Sequence, residues 1–142
     1  MEIPRVVKTY VETWSTGDMD TCVALFAPDG TYSDPSLPEP TVARSLKEHF
    51  AGFFTGFPDI KFETVGLDAI SNNLWVWRWI GRGTHTGSLR GVPSTGRKLA
   101  QPGCEFIEIH DGRIRSVVGY FDRLTMLTQL GLAPSSPGGP AA

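Results

Sequence analysis

The sequence predicts an α+β domain in which helices cover one face of a curved antiparallel sheet. Three observations lead there. The N-terminal part carries apolar side chains at helical spacing, the stretch from Ile60 onward is rich in β-formers broken by turn residues, and a last helical pattern follows the strands.

The first helix is read from Ile3, Val6, Val7, Tyr10, Val11 and Trp14, which fall on one stripe at three- and four-residue intervals. Gly17 suits a left-handed stop, and Asp18 suits the cap of a second, short helix burying Cys22, Val23, Leu25 and Phe26. A short extended piece, TYSDP, precedes a third helix with Leu46, Phe50, Phe53, Phe54 and Phe57 on one face, ended by Gly56 and Pro58. Strands are expected over 60–70, 74–86, 97–110 and 113–121, separated by SNN, GSLRGVPSTG and HDG. A sheet this bent leaves a hollow beneath the helices.

At 142 residues and 40% apolar content the chain suits one domain, 1–132, with a tail over 133–142 expected to be disordered for want of large apolar groups. Thirteen basic against fifteen acidic side chains, with no basic run, disfavour nucleic acid and anionic membrane as partners. Cys22 and Cys104 form no paired spacing, which argues against a disulfide framework and a zinc site. No window approaches the length of a membrane span, so a cytoplasmic protein is expected. Phosphate-binding glycine loops, a nucleophile elbow and clustered metal ligands are all missing from the pattern. The chemistry left open is cofactor-free proton transfer on a hydrophobic small molecule.

Strict alternation along 113–121 puts Ile114, Ser116, Val118, Tyr120 and Asp122 on one face, read here as the concave one. On residues alone Asp122 has two readings of equal weight: a desolvated acid in a pocket, or the cap of the helix that begins beside it. Trp75, Trp77 and Trp79 share a face of their strand with His85, either lining a cavity or packing under a helix or another subunit. Trp14, Tyr32 and Phe50 are candidates for cavity walls. Asp34 before Pro35 is read mainly as a turn residue, and His49 and His110 as exposed.

The stretches FAPDGTYSDPSLPEP, WRWIGRGTHTGSLRGVPSTGRKL and DGRIRSVVGYFDRLTMLTQLGL resemble the SnoaL-like polyketide cyclases, a family of the NTF2-like superfamily. The resemblance spans most of residues 3–132. It implies an NTF2-like cone: a curved antiparallel sheet against three N-terminal helices, with a short C-terminal helix. It also implies intramolecular aldol-type ring closure without metal or cofactor. The family's acid/base aspartate corresponds to Asp122 and its turn-region histidine to His85. The reading of the residues themselves adds Trp14, Tyr32, Phe50, Trp77, Trp79, Val118 and Tyr120 as contacts for a polyketide-like substrate. Ser33 stands where some cyclases have histidine, and Glu108 or a neighbour replaces another. Sheets of this fold often pair, so a homodimer is expected. Epoxide opening, isomerisation and non-catalytic ligand binding remain alternatives on the same fold.

Overall fold

The structure, a computed structural model, describes residues 2–134, and most of the 133–142 tail lies outside the described residues. Helix α1, Arg5–Thr16, buries Val7, Tyr10, Thr13 and Trp14. It stops at Gly17, whose φ of 74° is the left-handed conformation expected there. Asp18 then accepts from the Thr21 backbone N–H and caps α2, Met19–Ala24. That second helix is shorter than the sequence suggested, because Phe26 already belongs to β1, Phe26–Ser33. A two-residue strand, β2, Thr41–Val42, and one 3-10 turn lead into α3, Leu46–Gly56.

The four expected strands follow as β3, Lys61–Ala69, β4, Leu74–Thr84, β5, Lys98–His110, and β6, Arg113–Phe121, before α4, Arg123–Gln129. One six-stranded sheet results, in the order β2-β1-β6-β5-β4-β3. The β3 to β6 meander is antiparallel, but β1 lies parallel to β6, so the sheet is mixed rather than wholly antiparallel. The parallel pair joins strands from opposite ends of the chain, which no local turn signal announces.

Two irregularities decide which side chains face inward. On β6, Ile114 pairs with Ile109 while Ser116 pairs with Glu108, so Arg115 is an extra residue. Because side chains alternate with a period of two, one extra residue exchanges the faces of everything after it. Ile114 is buried, and beyond the bulge Val117 and Gly119 are the buried positions, whereas Tyr120 is 56% exposed. Val118 and Tyr120 therefore lie on the outer, convex face, which corrects their placement as cavity residues. A similar bulge on β3 around Val65 leaves that side chain exposed.

The main core joins α1 and α3 to the inner sheet face through Tyr10, Trp14, Phe50, Trp75, Trp77, Ile107 and Val117. A smaller cluster of Phe57, Ile60, Leu99 and Leu130 packs where α4 folds back on the sheet. Among the described residues no helix is long and apolar enough to cross a membrane.

Candidate active site

Between the helices and the sheet lies a cavity of about 260 Å³. Its size is near the lower end, ~300 Å³, of ordinary ligand pockets. Trp14 from α1, Tyr32 from β1, Phe50 and Phe53 from α3, Phe62 from β3, Trp79 from β4 and Phe121 from β6 form its walls. The rings meet edge to face, Trp14 with Phe50 at 4.9 Å and Tyr32 with Phe50 at 5.6 Å, the geometry favoured by their quadrupoles. Leu89, Arg90 and Val92 from the β4–β5 connection and Arg123, Met126 and Leu127 from α4 add to the lining.

Two carboxylates face this hollow, Glu105 and Asp34. Along β5 the inward side chains are Leu99, Gln101, Gly103, Glu105, Ile107 and Ile109, with Glu105 only 3% exposed. Its Oε1 accepts from the Tyr10 hydroxyl at 2.5 Å and its Oε2 from Trp79 Nε1 at 3.1 Å. Burial pushes the Glu105 carboxyl up to about 7, and the charge of Asp34 adds to the rise, while the two hydrogen bonds pull the other way. Burial also holds the Tyr10 and Tyr32 hydroxyls well above the ordinary tyrosine value, so both remain donors at neutral pH.

Asp34 is also buried. It accepts from the Tyr32 hydroxyl at 2.6 Å and from both the backbone N–H and hydroxyl of Ser36, at 2.7 and 2.5 Å. The turn role expected of it is real, but its carboxylate is part of the cavity as well. Gly119 brings the two acids together: it pairs with Glu105 across the ladder, and a Cβ there would lie 3.2 Å from Glu105 Cγ and 3.4 Å from Asp34 Cβ. Among the described residues, two buried polar atoms on the cavity wall lack partners, Trp14 Nε1 and Gln101 Oε1.

The sequence candidates divide accordingly. Trp14, Tyr32, Phe50 and Trp79 are brought together in the cavity. Trp77 is fully buried beneath it, with its Nε1 donating to Thr64, and Trp75 is core as well. Asp122 does not line the cavity. It is exposed on the far side of the bulge, where it accepts from the Leu124 N–H at 3.3 Å and the Thr125 hydroxyl at 2.7 Å as the cap of α4. The expectation that Asp122 is a desolvated acid in the pocket is thus corrected, and of its two readings the cap is the one the geometry carries.

His85 is fully buried but sits outside the lining. Its Nδ1 accepts from the Thr95 N–H at 3.2 Å and lies 2.9 Å from the Thr95 hydroxyl, and its ring packs against Phe57. It ties down the 86–96 connection rather than reaching a substrate. Arg78 and Arg82 pair with Asp68 and Glu63 on the outer face. His49, expected to be exposed, is half-buried and lies 3.3 Å from Ser36 Oγ.

Glu105 was missed from sequence, and a usable signal existed. Alternation places it in phase with Ile107 and Ile109, so a charged residue interrupts an otherwise apolar inward row.

The model of the SnoaL-like polyketide cyclase family matches residues 4–130. The chain belongs to that family. DnrD of Streptomyces peucetius, an aklanonic acid methyl ester cyclase, is 30% identical over 138 residues, covering 94% of this chain and 94% of the relative. The crystal structure of IdmH from Streptomyces antibioticus superposes with a TM-score of 0.76 at 28% identity, covering 89% of this chain and 96% of that one. A protein of ketosteroid isomerase-like fold from Catenulispora acidiphila, at 18% identity, gives a TM-score of 0.77 over 94% of this chain and 96% of its own. The fold is the NTF2-like cone, and the family is one of polyketide cyclases.

Proposed function

We propose that this protein closes a ring on a polyketide-derived small molecule by an intramolecular aldol-type step, with Glu105 as the acid/base group. The observation that carries the reading is a buried carboxyl in the lining of an aromatic cavity, pushed up to about 7 and gripped by two donors. A group that titrates near the working pH both removes and returns protons. In its charged form Glu105 takes a proton from a carbon activated by a neighbouring carbonyl. In its neutral form it protonates the oxygen that becomes the new hydroxyl.

The aromatic walls hold the reacting ends in contact. Such positioning contributes about 7 to 11 kcal/mol, against roughly 3 to 5 kcal/mol for one proton-transfer group by its usual effect. The relative's name, aklanonic acid methyl ester cyclase, makes that ester the first substrate to try. The enzyme is proposed to work in the cytoplasm as a homodimer. Non-catalytic binding also accounts for Asp122 being satisfied as a cap, but it gives no reason to bury Glu105 beside Asp34 at a desolvation cost.

The test is ring closure of aklanonic acid methyl ester followed by chromatography and mass spectrometry. Glu105→Gln should lower kcat by about 10²- to 10⁴-fold with ligand affinity largely retained. Full turnover in Glu105→Gln would remove Glu105 from the mechanism.

A further inference from the structure

Glu105 and Asp34 are both buried among the residues that line the cavity. One line of hydrogen-bonding side chains leads outward. Asp34 Oδ2 accepts from the Tyr32 hydroxyl, and Asp34 Oδ1 accepts from the Ser36 hydroxyl. On its other side Ser36 Oγ lies 3.3 Å from His49 Nε2. Ser36 has a single hydroxyl proton, which serves Asp34 or His49 but not both at once.

We propose that Asp34, Ser36 and His49 form a proton relay joining the buried carboxylates of the cavity to solvent, with His49 as its outer terminus. The idea rests on reading the cavity as a place of proton transfer. A proton on Asp34 Oδ1 passes to Ser36 Oγ as Ser36 gives its own proton to His49 Nε2. The imidazolium then releases its Nε2 proton to water, and the Ser36 hydroxyl, now turned to Asp34, resets the line by rotating back toward His49. Uptake runs the same steps in reverse.

The surroundings of His49 suit this terminus. Arg90 Nη2 lies 3.4 Å from the same Nε2 and donates to the His49 carbonyl oxygen at 2.9 Å, so its charge faces the ring from the β4–β5 connection. Burial, then the Arg90 charge, lowers the His49 pKa, while Asp34 opposes them from the segment after β1. The ring therefore spends most of its time neutral and able to accept. Its edge-on packing against Phe50, centroids 4.6 Å apart, fixes its orientation. Gly52 leaves the room Arg90 needs, since a Cβ there would stand 2.9 Å from Arg90 Cγ.

The relay can be tested without any substrate, through exchange of the Tyr32 hydroxyl proton with solvent. In protein carrying ¹³C at tyrosine Cζ, dissolved in equal parts H₂O and D₂O, slow exchange splits a tyrosine line in two. Tyr32 should give one averaged line in the unaltered protein and two lines in both Ser36→Ala and His49→Phe. Tyr10, bonded to Glu105 instead, should keep its line shape and so report any general change in opening. An unchanged Tyr32 line in both variants overturns the relay, as does an equal change at Tyr10. His49→Phe keeps the ring packing and carries the test alone if Ser36→Ala does not fold. Altered exchange with no turnover of aklanonic acid methyl ester would sink the cyclisation reading and leave the relay. Turnover with unaltered exchange would do the reverse.

Discussion

The Tyr10 hydroxyl and the Glu105 carboxylate meet 2.5 Å apart although 95 residues separate them in the chain. Helix α1 supplies the donor and the centre of the sheet supplies the acid, so the contact exists only when the two layers are docked. The same docking removes Glu105 from water, and the fold thereby creates the titration on which its proposed chemistry depends.

That link has a measurable effect on stability. Glu105 moves from its ordinary 4.5 up to about 7 on folding, so between those values the folded state holds a proton that the unfolded state has lost. Stability must then fall as pH rises through that window and level off above about 7, at about 1.4 kcal/mol per unit of displacement. Glu105→Gln removes this term. Denaturant titrations from pH 4.5 to 8 should show a shallower decline in the variant than in the unaltered protein, and parallel curves would refute the linkage.

Trp79 faces Gly103 across the β4–β5 ladder, and its indole lies over the space where a side chain would be. A Cβ on Gly103 would come 2.4 Å from Trp79 Cη2, closer than any packing permits. Gly103→Ala should therefore displace the indole, break its hydrogen bond to Glu105 and disturb the cavity wall. Overpacking of this kind costs about 1 to 3 kcal/mol. Thermal unfolding should register that loss, and the altered Trp79 environment should appear in the near-ultraviolet circular dichroism.

The helical stripes, the four-strand meander and the caps at Gly17 and Asp18 were legible because each depends on residues a few positions apart. The position of the acid was not. Reading β6 with unbroken alternation moves Val118, Tyr120 and Asp122 inward, and the extra Arg115 reverses that assignment. Nothing in RIRSVV marks the bulge, because it is settled by pairing with β5 and β1. Trp14, Phe50 and Trp79 were found despite this, being large aromatics on elements whose periodicity runs unbroken up to them, and Tyr32 was found although β1 carries its own irregularity between Phe26 and Thr31. Asp34 was half-legible: its turn chemistry is local, but its burial follows from β1 lying parallel to β6.

Asp122 provides a direct check on that lesson. As the α4 cap it accepts from Leu124 and Thr125, and Asp122→Ala should cost about 1 kcal/mol, within the range for lost caps. Asp122→Asn keeps an oxygen acceptor and should cost less. Neither should approach the loss in turnover expected of Glu105→Gln. A collapse of kcat in Asp122→Asn, with unfolding unchanged, would return the acid/base role to Asp122.

His85 predicts a loss of stability without a change in chemistry. It is fully buried with Nε2 unpartnered, and its Nδ1 is the acceptor for Thr95 N–H. His85→Leu leaves that half-buried amide without its acceptor, a loss of about 1 kcal/mol. Amide exchange should quicken around Thr95, while the pH dependence of turnover stays where Glu105 puts it. A displaced pH profile would instead place His85 in contact with the reaction.

The convex sheet face accounts for where the misassigned residues went. Tyr120 is 56% exposed and packs edge-on to Phe106 at 6.0 Å, with Val76 and Val118 half-buried on the same face. Apolar groups grouped on a sheet face that, among the described residues, has no helix over it are the surface on which a homodimer is proposed to form. A charge on that face would have to be buried against its own copy, whereas in a monomer it would stay in water. Phe106→Arg should therefore shift sedimentation from dimer to monomer while leaving the helix-side cavity, on the opposite face, able to bind its ligand. Sedimentation of the unaltered protein as a monomer at all concentrations would show that Tyr120 and Phe106 face solvent for another reason.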